Sequence, residues 1–232
     1  MRAVPVPRAN AEMDFLGVEP VAAATAIKLR SPARGARALP GTTRAFTLIE
    51  LLVVITIIVV LLGLLFPAFQ AVQNQAKKTQ AKNDLTQIVT AVNAFYTEYG
   101  RYPMGEITDM AATYGSGNPN SAIFNELRAT SNALNTRQIV FISPPDAKDQ
   151  TTPKGGIGGA DNQFYDPWGF SYRIRIDADY DNQVSNPYTA ETGAGPTQIR
   201  QGVIAWSVGK DAGLGRNGNN NFSGSDDVIS WQ

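Results

Sequence analysis

The chain contains no cysteine and no histidine. The first absence rules out disulfides, thiolate nucleophiles and thiolate metal ligands; the second removes the commonest general base and a usual zinc ligand. Charge is also missing from one long stretch: across residues 46–72 the only ionisable side chain is Glu50. Over all 232 residues the formal net charge is +0, yet residues 1–45 hold seven Lys/Arg against three Asp/Glu, leaving the remainder mildly acidic. An acidic body gives no support for nucleic-acid binding. No set of residues matches a recognised glycosidase or protease pattern, and without histidine the paired acids do not make a catalytic constellation, so the chain reads as no enzyme.

What is present begins with that apolar run. About 20 residues at 1.5 Å rise cross a hydrocarbon core, so residues 46–72 are long enough to span a membrane. A cleaved secretory signal has an apolar part of about 7–15 residues, shorter than this one. A generic signal anchor would account for the run but not for its acid. A carboxylate inside a bilayer costs roughly 2.5–3.5 kcal/mol and marks a functional position that needs a partner. The basic residues Lys28, Arg30, Arg34, Arg37 and Arg44 precede the run. By the positive-inside rule they hold residues 1–45 in the cytoplasm and send the C-terminal part across the membrane. This leader is rich in Pro, Ala and Arg, which reads either as a disordered segment or as a start assigned too far upstream.

The string Phe46-Thr47-Leu48-Ile49-Glu50-Leu51-Leu52-Val53-Val54-Ile55 closely resembles the N-terminus of the type IV pilin and type II secretion pseudopilin superfamily. The resemblance implies cleavage between Ala45 and Phe46 by a membrane prepilin peptidase, followed by N-methylation of Phe46. The family's usual residue before the cut is Gly, and Ala45 stands there in this chain. It also implies a partner for Glu50, the Phe46 amine of a neighbouring subunit, met as helices assemble into a filament. A paired buried carboxylate is tolerable and can fix register, where an unpaired one is costly. Pro67 stands where pilin helices often carry a kinking proline, and a proline inside a helix removes a hydrogen bond and bends the axis.

Beyond the run, Lys77 and Lys78 mark the exit from the bilayer. Leu85, Ile88, Val89, Val92, Phe95, Tyr96 and Tyr99 then recur at spacings of three and four, the stripe of an amphipathic helix, before Gly100 and Pro103 stop it. The spacing predicts one helix over residues 46–99, about 80 Å long at 1.5 Å per residue. A short helix is expected over residues 122–134 with Ser121 as N-cap, a strand over 137–143, and a flexible loop over 155–159. Residues 172–178 alternate, placing Ile174 and Ile176 on one face and Arg173, Arg175 and Asp177 on the other. Further strands are expected over 202–208 and 228–231. The fold class is therefore α+β and, by resemblance, pilin-like: a long N-terminal membrane-spanning helix packed by its second half on a small antiparallel sheet. The expected division is a cleaved leader at 1–45, a transmembrane part at 46–76, an amphipathic half at 77–103 and a periplasmic domain at 104–232.

Two strings resemble the major pseudopilin of type II secretion in particular. Asp166-Pro167-Trp168-Gly169 reads structurally as a turn, with Gly169 at positive φ and Trp168 packed on the sheet. Trp206-Ser207-Val208-Gly209-Lys210-Asp211, with Ser225-Asp226-Asp227-Val228 downstream, resembles the family's calcium loop. The resemblance implies Asp211, Asp226 and Asp227 as carboxylate ligands and Val208 as a carbonyl donor. Calcium takes six to eight oxygens at about 2.3–2.6 Å, and a cation bridging these acids would close a Gly- and Asn-rich segment; the alternative is a polar loop whose acids cap turns. A second acidic run, Asp177-Ala178-Asp179-Tyr180-Asp181-Asn182, lacks the Gly and Glu of an EF-hand and reads as a solvated strand end and turn.

The function implied by this resemblance is a structural subunit of the type II secretion pseudopilus. That periplasmic filament is homopolymeric, and its partners are minor pseudopilins, the prepilin peptidase and methylase, an inner-membrane assembly platform and membrane lipid. The alternative is a subunit of a surface type IV pilus used in adhesion, motility or DNA uptake. The absence of cysteine favours the former, because many type IV pilins close a C-terminal loop with a disulfide. Either way the chain is expected to be single-pass in the inner membrane, N-terminus cytoplasmic.

Overall fold

The computed structural model describes residues 46–106, 108–110 and 112–232. Helix α1 runs without interruption over Leu48–Tyr99, 52 residues, with Pro67 inside it. It begins two residues later than the sequence pattern suggests. At 1.5 Å per residue it is about 78 Å long. Its two halves differ in what surrounds them. Large apolar side chains from Leu48 to Val72 are exposed on every side of the helix, whereas Ala81, Leu85, Ile88, Ala91, Val92 and Phe95 are buried along one stripe. The stripe has the expected three-and-four spacing, with Val89 and Tyr99 packed at its margin. Each fully buried Leu, Ile or Phe contributes about 1.5–3 kcal/mol of transfer free energy. Gly100, at φ +67°, donates its N–H to the Tyr96 carbonyl and ends the helix in the left-handed conformation that glycine tolerates.

After α1 the chain forms β1 (Thr113–Tyr114), α2 (Ser121–Leu127), β2 (Gly156–Ile157), β3 (Phe164–Tyr165), β4 (Arg173–Ile176), β5 (Val184–Ser185), β6 (Gln198–Ile199), β7 (Val203–Ser207) and β8 (Val228–Ile229). The main sheet has the order β1-β4-β7-β8, antiparallel throughout. The pairs β2–β3 and β5–β6 form two small hairpin sheets. This is the α+β arrangement expected from the sequence.

Strand alternation divides the core. Ile174 and Ile176 of β4 join Val203 and Ala205 of β7 in the cluster built on the α1 stripe. Ile204 and Trp206 point to the opposite face, where Val184, Tyr188, Ala194, Ile199 and Ile229 form a second cluster under the β5–β6 hairpin. The sheet is thus covered on both faces. Arg175, expected on a polar face, is buried at 8 % exposure.

Three sequence expectations are corrected. Helix α2 ends at Leu127 rather than residue 134, and its N-cap is Asn120, which makes no side-chain capping bond. Asn120 is instead fully buried, donating Nδ2 to the carbonyls of Phe164 and Tyr172 and accepting the Phe164 N–H. Residues 137–143 form no strand; Gln138 sits at φ +52°, and the Phe141 and Ile142 N–H groups both reach the Leu127 carbonyl. Residues 155–159 are not a free loop, since Gly156 and Ile157 pair with Phe164 and Tyr165. A Cβ on Gly156 would lie 2.7 Å from the Pro145 carbonyl oxygen, so its glycine serves close backbone approach.

Candidate functional site

Phe46 and Thr47 precede the first helical residue, and Glu50 lies in the first turn of α1, where a carboxylate is favoured by the helix dipole. Phe46 is 73 % exposed. Ala45, the rest of the leader at 1–45 and its basic residues lie outside the described residues. Among the described residues one helix, α1, is long and apolar enough to cross a membrane, and the apolar part is not buried by the rest of the chain. A helix half that is apolar on all sides needs lipid or other apolar chains around it.

The second candidate site lies in the loop between β7 and β8. Val208 is buried at the end of β7, and Gly209 follows at φ +67°, with Asp226 packed so closely that a Cβ on Gly209 would lie 2.6 Å from the Asp226 carboxyl carbon. The loop then returns to Asp226 and Asp227 just before β8. Each of Asp211, Asp226 and Asp227 offers a carboxylate oxygen within 4.8 Å of the others. The sequence-expected acids therefore do converge. Asp211 accepts the Gly213 N–H at 2.9 Å and Asp226 accepts the Lys210 N–H. Asp227 Oδ2 accepts from the Tyr188 hydroxyl at 2.6 Å and from the Gly215 N–H at 2.7 Å.

Asp227 Oδ1 is buried and has no hydrogen-bond partner among the described residues, and neither has the nearby Ser225 Oγ. Burial raises the Asp227 carboxyl above the usual carboxylate range; the Tyr188 and Gly215 hydrogen bonds oppose this, and the charges of Asp226 and Asp211 add to it. Three mutually repelling carboxylates with one orphaned, desolvated oxygen match the hard-oxygen donor set of a divalent cation such as calcium. The loop is not held by its acids alone. Arg216 N–H reaches the Asn221 carbonyl, Asn220 N–H the Leu214 carbonyl, and Thr189 N–H the Asn220 carbonyl. Tyr188, which the sequence reading missed, stands in an irregular segment with no periodicity to mark it.

The Asp166-Pro167-Trp168-Gly169 turn is built around one carboxylate. Asp166, fully buried, accepts the N–H groups of Trp168, Gly169 and Phe170 on Oδ1, at 2.8–2.9 Å, and the Ser207 hydroxyl on Oδ2 at 2.6 Å. The turn thereby fastens β3 and its loop to the end of β7. Gly169 has φ +104° as its position in the turn requires. The other acidic run gains a member remote in sequence, for Asp109 brings a carboxylate oxygen within 4.8 Å of those of Asp177 and Asp179. Here the buried acid is satisfied: Asp177 accepts the N–H groups of Asp181 and Asn182, and Asp109 accepts that of Ala178. These acids close a turn, and no ligand is assigned to them.

A long apolar helix followed by a small antiparallel sheet domain fits a single-pass, membrane-anchored protein. Residues 42–66 match the family described as the prokaryotic N-terminal methylation motif. The type IV major pilin protein PilA of Myxococcus xanthus (strain DK1622) is 41% identical over 59 residues, which are 25% of this chain and 27% of that protein. The chain is thus similar to about a quarter of the length of that curated relative. No solved structure matches it. With the motif at residues 42–66 and this likeness over 59 residues, the chain is type IV pilin-like.

Proposed function

We propose that the protein is the major subunit of a type II secretion pseudopilus in a diderm bacterium. Cleavage after Ala45 by a prepilin peptidase exposes the Phe46 amine, which is then methylated. Residues 46–76 lie in the inner membrane, residues 77–103 carry the helix out, and the domain at 104–232 sits in the periplasm. Glu50 pairs with the Phe46 amine of a neighbouring copy as helices leave the bilayer for a homopolymeric filament. The apolar surface exposed along the first half of α1 then passes from lipid to other helices, so its burial is never lost. An assembly platform in the inner membrane and minor pseudopilins start the filament, which moves folded cargo through the outer membrane. The role is structural, without catalysis or nucleic-acid binding.

The observation that carries the pseudopilin reading is the buried, unpartnered Asp227 Oδ1 within a cluster of three carboxylates, in a chain with no cysteine to close its C-terminal loop. Asp211, Asp226 and Asp227 would hold calcium there, with Val208 as the candidate carbonyl donor. Bound calcium supplies positive charge that neutralises the cluster and ties the two ends of the loop together. A second reading, a subunit of a surface type IV pilus, is favoured by the likeness to a type IV major pilin.

Deleting the gene decides between the two. Loss of exported enzymes from the medium, with surface fibres unchanged, supports the pseudopilus. Loss of surface fibres with secretion intact overturns it in favour of the pilus.

A further inference from the structure

Arg173 and Arg175 stand two residues apart on β4 and so project from the same face of the sheet, the face turned away from α1. In the β4–β7 register Arg173 lies opposite Trp206. A cavity of about 400 Å³ opens here, lined by both arginines and Trp206 together with an apolar wall that includes Met110, Pro187 and Leu214.

Three donor groups stand around it, the guanidiniums of Arg173 and Arg175 and the Trp206 indole N–H. Arg175 is buried, and its Nε and Nη1 bond only neutral oxygens: Thr113 Oγ1 at 2.8 Å, and the Ser185 carbonyl and hydroxyl at 2.7 Å each. Its guanidinium carbon lies 5.8 Å from the centroid of the Trp206 ring. Nη2 has no acceptor among the described residues. Among the described residues the half-buried side chain of Arg173 makes no hydrogen bond, and neither arginine has a carboxylate within the 4.0 Å of an ion pair. The Trp206 Nε1–H is buried and has no partner among the described residues either. The acids on their two sides do not pair with them. Asp109, on the side of Arg175, accepts the Ala178 N–H. Asp227, on the side of Arg173, gives Oδ2 to Tyr188 and Gly215, and its open Oδ1 belongs to the β7–β8 acid cluster, outside ion-pair distance of Arg173 among the described residues.

A guanidinium withdrawn from water without an anion is costly, and the fork of Arg N–H groups matches the paired oxygens of a carboxylate or phosphate. We propose that this cavity is a binding site for a small organic oxyanion, whose charged head is held between Arg173 and Arg175, with the Trp206 indole N–H as a further donor, and whose apolar body lies against Met110, Pro187 and Leu214. The site is independent of whether the chain builds a pilus or a pseudopilus. Its head group is a carboxylate or a phosphate monoester, and the two are separated by probes that share one body.

The test is calorimetric titration of the full chain in uncharged detergent at low ionic strength with benzoate, with phenyl phosphate and with inorganic phosphate. Saturable one-to-one binding of benzoate or phenyl phosphate is expected, at least tenfold tighter than that of inorganic phosphate. Binding of benzoate names a carboxylate ligand, and binding of phenyl phosphate a phosphate ester. Arg173→Gln is expected to weaken binding at least tenfold while leaving the thermal midpoint in place, because the Arg173 side chain holds nothing else. Probe partitioning into the micelle is common to both proteins and cancels in this comparison. Absence of saturable binding by all three probes, or equal affinity in Arg173→Gln, overturns the proposal.

Discussion

The hydroxyl of Tyr172 donates to Asp84 Oδ2 at 2.7 Å, joining the second half of α1 to the residue that enters β4. Tyr172 is fully buried and Asp84 half-buried. The bond therefore fixes the helix on the sheet at a defined register, where apolar packing alone would tolerate sliding. Tyr172→Phe keeps the ring and removes the donor. It is expected to lower unfolding free energy by about 1–2 kcal/mol, as for a buried acceptor left unpaired. Urea denaturation of the full chain in detergent, followed by tryptophan emission, measures this; an unchanged midpoint would mean that the bond adds nothing.

The same carboxyl makes stability depend on pH. Burial raises Asp84 above its ordinary value of 3.8; the Tyr172 hydroxyl opposes the shift, and the charge of Asp166 adds to it. The folded chain therefore holds this proton more tightly than the unfolded chain. The resulting stabilisation is full below about pH 4 and is lost as pH rises through the raised value. Between pH 4 and 7, with chelator present, the urea midpoint of the natural protein should fall more steeply than that of Asp84→Asn, which cannot titrate. Parallel profiles would remove Asp84 from the account.

Two glycines with the same backbone angle separate strain from contact. Gly100 and Gly209 both have φ +67°, but a Cβ on Gly100 meets nothing within 4 Å, while one on Gly209 meets the Asp226 carboxyl carbon at 2.6 Å. Gly100→Ala is expected to cost about 1 kcal/mol, the left-handed penalty alone. Gly209→Ala should cost more and displace Asp226. Equal losses in thermal unfolding would show that the loop moves aside freely.

If the β7–β8 loop holds a cation, calcium must stabilise the folded state. At a hundredfold excess over its dissociation constant the gain is about 2.7 kcal/mol, and chelation reverses it. Asp211→Asn is the informative variant, since Asp211 is exposed and, among the described residues, its one hydrogen bond, from Gly213, lies within the loop. It should fold and lose most of the calcium response. A thermal midpoint indifferent to calcium would dismiss the site.

The features legible in the sequence were those with a period or a motif. The α1 stripe, the alternation of β4 and the converging acids of the β7–β8 loop all have one of these. What stayed hidden was decided by partners remote in sequence. Thr113 and Tyr114 are too few to show alternation and become β1 only through pairing with Arg175 and Ile174. Asn120 looks like a turn residue, yet its amide secures the backbones of Phe164 and Tyr172, 44 and 52 residues away. The glycines at 155–159 read as a loop because composition does not reveal that Pro145 and Asp146 press against Gly156. The alternation puts Arg173 and Arg175 on the face opposite Ile174 and Ile176, and nothing local announces that the β5–β6 hairpin covers that face.

The motif at residues 42–66 makes its own prediction about the mature chain. In cells with an active prepilin peptidase, the membrane protein should begin at Phe46 and carry one added methyl group on its amine; in cells without the enzyme it should retain the leader. Ala45 in place of the usual glycine is expected to slow cleavage without blocking it, because alanine is the next smallest side chain. Ala45→Gly should therefore accelerate processing without moving the cut. Glu50→Ala should leave insertion, cleavage and methylation intact but abolish filament assembly, since a Phe46 amine buried beside a neighbour would then lack its counter-charge. Intact mass and N-terminal sequencing of membrane fractions read the first set of outcomes, and sedimentation of sheared filaments reads the last. A chain that still begins in the leader when the peptidase is present would turn α1 into an ordinary signal anchor. Filaments from Glu50→Ala at the natural level would mean that the acid in the apolar run serves something other than assembly.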